Sequence, residues 1–450
     1  MKTVITYGTF DLFHTGHRRL LERARKLGDR LIVGVTSDLY DQTRGKLNVV
    51  QSCEERIENV RRSGLADQII IEEEEGQKIQ DIEKYGADIF VIGSDWVGTF
   101  DYLKEYCEVI YLERTKGVSS TDLRQLLAPI VRVGIVGCGR IAGRFLKESR
   151  FVSGMEVTAV YGRDRKKASQ FAAEYEIAGA YSELAHMLSV TDAVYIATPH
   201  HTHYDFTKAA LSSGKHVLCE KPLTLTTAQA AELYQLAATK HCVLMEAVKT
   251  AYAPGFCQLI GIARGGIIGT IKAIDAGFTK LVANRALREY DATQAGGAFT
   301  ELGSYPLLAI TKLLGMQPLE ISFVTDIDPA TGVDTFTRAN FIYPGATATA
   351  TVGIGAKREG DLCIAGTTGY IYVPAPWWKT EYFEVRYEDS RRNRKYFTKF
   401  EGDGLRYEIA AFLRAINGND ALPPRLTNKE SIFMSTVIEK FLNGEQVHKL

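Results

Sequence analysis

His14 and His17 stand three residues apart with Gly16 between them. If they open a helix, both rings project from one side of its first turn. Unpaired N–H groups there and the positive end of the helix dipole favour a phosphate, and Gly16 lets it approach the backbone closely. Two imidazoles so placed can stabilise charge on the bridging and leaving oxygens of a nucleoside triphosphate attacked by a second phosphate. No covalent intermediate is needed, because positioning and electrostatics supply most of such a barrier. The flanking residues fit. Residues 3–6 have strand composition, and Leu20, Leu21, Ala24 and Leu27 recur at helical spacing until Gly28.

The run Tyr7-Gly8-Thr9-Phe10-Asp11-Leu12-Phe13-His14-Thr15-Gly16-His17 resembles the G-T-F-D-x-x-H-x-G-H signature of the cytidylyltransferase family, and within it the glycerol-3-phosphate cytidylyltransferases. The resemblance extends from Met1 to about Gln125. It includes Gly93-Ser94-Asp95-Trp96 and Arg114-Thr115-Lys116-Gly117-Val118-Ser119-Ser120-Thr121, similar to the family's R-T-E-G-I-S-T-T. It implies a CTP site, with Mg2+ accompanying the triphosphate, formed by Gly8, Thr9, Phe10, Asp11, His14, His17, Arg44, Lys46, Asp95, Trp96, Arg114, Thr115, Gly117, Ser119, Ser120 and Thr121. His14, His17, Lys46 and Arg114 take the catalytic positions. On composition alone Arg44 and Lys46 lie in an ordinary polar loop; the resemblance makes them a lid over the triphosphate. Asp11 is open between orienting the site, meeting a magnesium-bound phosphate and capping the helix. Lys116 replaces the usual Glu, reversing a charge near the substrates, and Ser120 replaces Thr but keeps the hydroxyl.

The elements that must position these residues read as a parallel sheet. Strand-like runs at residues 3–7, 30–35, 68–71, 88–92 and 108–112 alternate with helical patterns. Ligands bind such sheets beyond the carboxyl ends of the strands, where the notable residues collect. The run Glu72 to Glu75 reads as a solvated connector.

A new strand, residues 131–136, runs into Gly137-Cys138-Gly139-Arg140-Ile141-Ala142 at the head of a helix. This G-x-G-x-x-A turn is the pattern of a dinucleotide site, its pyrophosphate on the helix N-terminus. The next strand, 157–161, ends in Tyr161-Gly162-Arg163-Asp164. No carboxylate stands at its tip, and Arg163 can pair with a 2′-phosphate, so NADP(H) is expected; Asp164 keeps NAD(H) open. Thr198-Pro199-His200-His201-Thr202-His203 fits a strand-end loop beside a nicotinamide, since no cysteine or carboxylate cluster accompanies the histidines to make a metal site.

With Glu220-Lys221-Pro222 this portion resembles the glucose–fructose oxidoreductase/inositol dehydrogenase (Gfo/Idh/MocA) family, from Val131 to about Gly315 and more loosely to the end. The resemblance places Gly137, Gly139, Arg140, Ile141, Arg163, Thr198, Pro199, His203, Glu220 and Lys221 around the cofactor. It puts Lys221 and Tyr305 on catalytic positions, with Glu301 where Asp is usual. Met245-Glu246-Ala247 and Tyr305 fit the dihydrodiol dehydrogenase branch. The chemistry is coherent: hydride transfer to a carbonyl leaves an alkoxide, which a tyrosine loosened by a nearby ammonium can protonate. Read by itself, Tyr305 is a half-buried core tyrosine.

From about residue 267 to 399 the pattern turns β-rich, with strands near 272–278, 336–343 and 347–352 and a helix over 302–313. Helical patterns at 405–416 and 428–442 are expected to pack back on the dinucleotide unit. The basic run Arg391-Arg392-Asn393-Arg394-Lys395 reads as a solvated hairpin.

At 450 residues, two or three domains are expected. The predicted fold class is α/β: an HxGH nucleotidyltransferase domain with a Rossmann-like parallel sheet at 1–128, an NAD(P) Rossmann domain at 130–250, and an α+β domain with a large, mostly antiparallel sheet at 251–450. Lys plus Arg and Asp plus Glu number 54 each, so no global field draws nucleic acid or an anionic membrane. Seven scattered cysteines without a Cys-x-x-Cys pair suit reduced thiols better than a disulfide framework or zinc. Neither a leader nor an apolar run of membrane length is read, so the expected location is the cytoplasm. The expected function is a fusion in which a keto sugar or triose phosphate is reduced and the polyol phosphate is then cytidylylated, as for teichoic-acid-like or capsular polymers. Alternatives are reduction of a CDP-linked ketose, a non-catalytic NADP(H)-binding module, and adenylyl transfer. A homodimer or larger homo-oligomer is expected because each unit resembles dimer-forming families.

Overall fold

The computed structural model describes residues 2–43, 49, 51–74, 76–113, 130–418 and 425–450. Arg44, Lys46, Arg114, Thr115, Gly117, Ser119, Ser120 and Thr121 lie outside them, as does the helix expected over 122–127. The chain divides into two compact units, Met1–Ile130 with Arg150–Met155, and Val131–Ser149 with Glu156–Leu450.

The first unit orders its strands β3-β2-β1-β4-β5: β1 Thr3–Gly8, β2 Arg30–Thr36, β3 Gln68–Glu72, β4 Ile89–Gly93 and β5 Glu108–Leu112. All four pairings are parallel. Both faces are covered, so the strands alternate between two cores: Val4, Val33 and Val91 on one side, Ile5, Ile32 and Phe90 on the other. Helices α1 Thr15–Arg25, α2 Asp38–Thr43, α3 Cys53–Arg62 and α4 Gln77–Tyr85 connect them. The strand order reverses between β1 and β4, which opens a crevice beyond their carboxyl ends. The acidic run departs from expectation at its first residue. Glu72 is fully buried at the end of β3 and pairs with Lys78 of α4, because a strand end facing a packed helix hides its last side chain.

The second unit contains two sheets among the described residues. A parallel one runs β11-β10-β9-β6-β7-β8, with β6 Val131–Val136, β7 Met155–Tyr161, β8 Gly179–Tyr181, β9 Ala193–Ile196, β10 His216–Glu220 and β11 Leu244–Ala247. Its helices are α5 Arg140–Ser149, α6 Arg165–Tyr175, α7 Leu184–Ser189, α8 His203–Ser212 and α9 Thr227–Thr239. Its order reverses between β6 and β9. After α10 Pro254–Arg264 come β12 Ile271–Thr279, β13 Glu320–Ile327, β14 Asp334–Tyr343, β15 Ala346–Gly353, β16 Leu362–Gly366, β17 Tyr370–Val373, β18 Tyr382–Arg386, β19 Arg394–Phe397 and β20 Val447–Lys449. They form the second sheet in the order β19-β18-β17-β16-β12-β15-β14-β13-β20, parallel only at β12–β15 and β13–β20, with β12, β15 and β14 in its middle.

The helix expected over 302–313 is found as α12 Ser304–Leu314, with a separate short helix, α11 Ala298–Leu302, just before it. Pro306 has no N–H to give the carbonyl of Leu302, so the first helix stops there and Tyr305 falls in the first turn of the second. The terminal helices α13 Leu405–Ile416 and α14 Asn428–Leu442 return to the parallel-sheet layer. Arg406 forms a buried two-pronged pair with Glu148 of α5 (3.0 and 2.9 Å), and Glu439 accepts from Thr227 at the head of α9. The basic run forms a turn, Ser390–Arg392, and the edge strand Arg394–Phe397, with Arg391 paired to Asp389.

Candidate active sites

In the first unit, β1 ends against a tightly specified turn. A Cβ at Gly8 would fall 3.1 Å from the Phe10 ring, so the glycine lets that ring pack tightly on the end of β1. Phe10 and Leu12 hold left-handed backbone (φ 53° and 49°), a cost of about 1–3 kcal/mol each for side chains of this kind. The burial of Phe10 and the bond from Leu12 N to Gln51 Oε1 (2.8 Å) maintain it. The turn delivers His14 as the N-cap of α1, its Nδ1 accepting from Gly16 N at 3.0 Å. Asp11 is therefore not the cap; its Oδ1 accepts from Gln51 N at 3.0 Å, tying the turn to the head of α3. With Nδ1 accepting, the ring proton of neutral His14 sits on Nε2, a donor aimed away from the cap. The His14 and His17 rings stack at 3.8 Å between centroids, and His17 sits edge-on to Phe10.

Beneath this turn lies Arg56, fully buried, a residue with no local signal in the sequence. Its guanidinium donates to the carbonyls of Thr9 (2.8 Å) and Thr36 (2.9 Å), and it pairs with Asp38 (2.5 Å) and Asp41 (3.2 Å). Asp41 also accepts from the hydroxyls of Thr9 and Thr36. Arg56 thereby fixes the ends of β1 and β2 relative to each other. Across the crevice, Ser94–Trp96 forms a single turn directly after β4, with the Trp96 ring against Phe100.

In the second unit, Gly137 has φ 111°, and a Cβ would fall 2.6 Å from the carbonyl of Ala197, so only glycine lets β6 turn beside the end of β9. Arg140 and Ile141 begin α5, and Arg140 reaches Glu289 at 3.5 Å. Arg163 is exposed just beyond β7, whereas Asp164 is spent as the N-cap of α6, accepting from Lys166 N and Lys167 N.

His203 is fully buried, with Nε2 2.9 Å from the carbonyl of Thr198 and Nδ1 2.8 Å from that of Pro222. Burial holds it down to about 4, so it is neutral and its one N–H bonds one of these two carbonyls, with the ring packed between the loops after β9 and β10. Thr198 and Pro199 precede the short turn His200–Thr202. Buried His200 is likewise held below the usual range, by desolvation, then Lys221 and Arg288. Its Nδ1 faces the carbonyl of Ala295 at 3.2 Å, leaving Nε2 to accept from Arg288 at 3.4 Å.

Glu301 does not stand free. Arg288 donates from Nη2 to its Oε2 at 3.0 Å and pairs through Nη1 with Oε1 at 2.7 Å. Its backbone carbonyl accepts from Lys221 Nζ at 2.8 Å, which brings the lysine from the end of β10 to the α11–α12 junction. Glu220 turns inward, accepting from the hydroxyl of Tyr195 at 2.5 Å. Tyr305 stacks at an angle on Phe278, 5.0 Å between centroids. The expected loosening of its proton by an ammonium is not found. Burial first, then Glu220 and Glu408, raise the phenol above its usual range, and the opposing cation is Arg144. The side chain thus stays protonated through neutral pH.

Three comparisons bear on these sites. A cytidylyltransferase-like family model matches residues 5–126. An oxidoreductase family model, NAD-binding Rossmann fold, matches 131–248, and a GFO/IDH/MocA C-terminal domain model matches 258–372. Over 130 residues, 29% of this chain and 100% of the relative, the sequence is 52% identical to glycerol-3-phosphate cytidylyltransferase of Bacillus spizizenii. Over 252 residues, 55% of this chain and 75% of the relative, it is 31% identical to an uncharacterized oxidoreductase of Rhizobium meliloti. The chain belongs to both families. Its first part is a cytidylyltransferase and the rest an NAD(P)-dependent Gfo/Idh/MocA oxidoreductase. A 3-ketoreductase from Actinomadura kijaniata, solved with NADP and TDP-benzene, matches the oxidoreductase with TM-score 0.64 and 26% identity, covering 71% of this chain and 99% of its own.

The cytidylyltransferase crevice gathers Gly8, Thr9, Phe10, Asp11, His14, His17 and the Ser94–Trp96 turn, with Arg56, Asp41 and Gln51 as supports. The oxidoreductase brings Lys221, Glu301, Arg288 and His200 into one bonded cluster. Among the described residues no group of three or more His, Cys, Asp or Glu is placed to hold a metal, and no helix is long and apolar enough to cross a membrane.

Proposed function

We propose that this chain carries out two consecutive steps: the oxidoreductase reduces the keto group of a sugar or triose phosphate, and the cytidylyltransferase converts the polyol phosphate and CTP to a CDP-polyol and pyrophosphate. Glycerol 3-phosphate is the default acceptor, following the name of the Bacillus relative. The observation that carries the cytidylyl transfer is the stacked His14–His17 pair at the head of α1, its proton-bearing Nε2 fixed by the cap. An acceptor phosphate oxygen forms a bond to the α-phosphorus of CTP, and the bond to the α–β bridging oxygen breaks, releasing pyrophosphate. The two imidazoles donate to oxygens on which charge accumulates, while Arg56 keeps the turn from shifting. Mg2+ is taken as the counter-ion that the triphosphate brings.

For the second unit, the turn at Gly137 and the N-terminus of α5 would hold the pyrophosphate of a dinucleotide, with Arg163 at its adenosine end. When bound, NADPH supplies a hydride. Lys221, held by the Glu301 carbonyl, hydrogen-bonds the substrate oxygen, and protonated Tyr305 gives its phenolic proton to that oxygen as charge builds there. NADP(H) is preferred over NAD(H), since Asp164 is engaged as a cap and the exposed cation is Arg163. A homo-oligomer acting on small molecules completes this reading.

The test is pyrophosphate release with CTP and a panel of acceptors, with and without NADPH. Release with glycerol 3-phosphate alone assigns the first unit its default acceptor. Release that needs both a ketose phosphate and NADPH puts reduction first. Release from a ketose phosphate without NADPH puts cytidylyl transfer first. No release from the folded protein under any condition refutes the reading.

A further inference from the structure

The end of β12 in the oxidoreductase unit carries more positive charge than the neighbouring carboxylates neutralise. Lys280 directly follows β12, and Lys357, from the segment after β15, donates to the carbonyl of Thr279 at 3.2 Å. Neither lysine is paired with a carboxylate among the described residues. Arg140 and Arg144, one turn apart on α5, act on Lys280. Arg140 pairs with Glu289 at 3.5 Å and Arg144 with Asp403 at 3.6 Å, and the two arginines stay 67% and 49% exposed. The crowding is felt at Lys280, whose ammonium is held below the usual lysine range by burial, then by Arg140 and Arg144 against Glu289 and Glu301.

Beside this cationic rim stands a flat apolar wall. Phe278 stacks face to face on Trp378 (3.6 Å, 5°) and touches Tyr305. Alternate residues of a strand share a face, so Phe278 and Lys280 point to the same side about 6–7 Å apart. Arg140 and Arg163 belong to the turns proposed for the dinucleotide; Lys280 and Lys357 come from the other sheet.

We propose that this site takes a phosphorylated ketone, its phosphoryl group on Lys280 with Lys357 and Arg144 and its carbon chain along the Phe278–Trp378 wall toward Tyr305 and Lys221. The inference rests on the reading of this unit as a reductase. The phosphoryl group is that of a ketose monophosphate or the diphosphate of a CDP-linked ketose.

The test follows the fluorescence of NADPH bound to the full chain, which reports the second unit even though the first also binds phosphates. Inorganic phosphate and CDP are titrated into NADPH-saturated protein. Saturable binding is expected, weakened about ten-fold or more in Lys280→Met and restored in Lys280→Arg, with the NADPH affinity itself changed by less than about two-fold. Tighter binding of CDP than of phosphate supports the diphosphate source; equal or weaker binding supports the monophosphate. Equal phosphate binding by Lys280→Met and the native chain overturns the proposal, and so does a parallel loss of NADPH affinity, which would assign Lys280 to the cofactor. Failure of the native protein to bind NADPH would instead refute the reductase reading.

Discussion

A histidine that caps a helix through one ring nitrogen has only the other left for chemistry. His14 is in that position, so its two duties can be separated. Asparagine is as good an N-cap and cannot act as an imidazole. His14→Asn is expected to keep the melting temperature of the first unit within a few degrees and lower kcat for pyrophosphate release about 10²- to 10³-fold. His14→Ala loses the same activity and about 1 kcal/mol of stability besides. Calorimetry and a pyrophosphate assay on both variants check this; equal stabilities would show that the cap contributes nothing. At the other cofactor-facing loop, Arg163→Glu places a carboxylate at the tip of β7 that repels a 2′-phosphate and accepts from ribose hydroxyls. The ratio of NADPH to NADH dissociation constants is expected to rise at least about ten-fold, read by titration.

At the scale of elements, two buried polar groups hold pieces of chain far apart in sequence. Arg56 joins the ends of β1 and β2 to α2 and α3. Arg56→Met leaves Asp41 buried without its cation and should destabilise the first unit by about 3–5 kcal/mol, as its unfolding transition in denaturant will show; the second unit's transition should not move. Glu246, at β11, accepts from Leu223 N and from Ser431 of α14. Burial pushes its carboxyl up to about 7 from an ordinary 4.5. Its folded state therefore binds a proton that the unfolded chain has already lost. The stability this confers is full below pH 4.5 and gone above pH 7. Glu246→Gln keeps the hydrogen bonds and cannot ionise. The stability of this variant relative to the native chain should thus rise by roughly 3 kcal/mol between pH 4.5 and 7.5, measured by denaturant unfolding. A difference that is flat with pH would show that Glu246 titrates normally.

Over the whole molecule, the two families divide the chain near residue 130, and the Bacillus relative is matched over its full length by 130 residues of this one. Residues 1–130 expressed alone are expected to release pyrophosphate from CTP and glycerol 3-phosphate with a kcat within about three-fold of the full chain, since substrate positioning and electrostatics reside within that unit. A loss of much more than that would mean the site needs the rest of the chain. The parallel and antiparallel sheets and the two binding turns were legible in the residues because their signals are local: strand runs bounded by turns, histidines at helical spacing, glycines at fixed offsets. The stacking of His14 on His17 and the glycine at 137 follow from backbone geometry that neighbours in sequence dictate. What the sequence could not show is where buried charge goes. Arg56 sits among Glu54, Glu55, Glu58, Arg61 and Arg62 and looks like one more solvated residue, until residues 9, 36, 38 and 41 converge on it. Glu72 reads as the start of an acidic connector until Lys78 closes on it. Arg288, unmarked by any motif, takes the carboxylate of Glu301, and Tyr305, expected to be loosened by an ammonium, is instead held protonated by burial, Glu220 and Glu408. Periodicity and spacing along the chain determine elements and turns; which charges meet, and hence which are neutralised and which remain to bind a ligand, is decided only when distant segments pack.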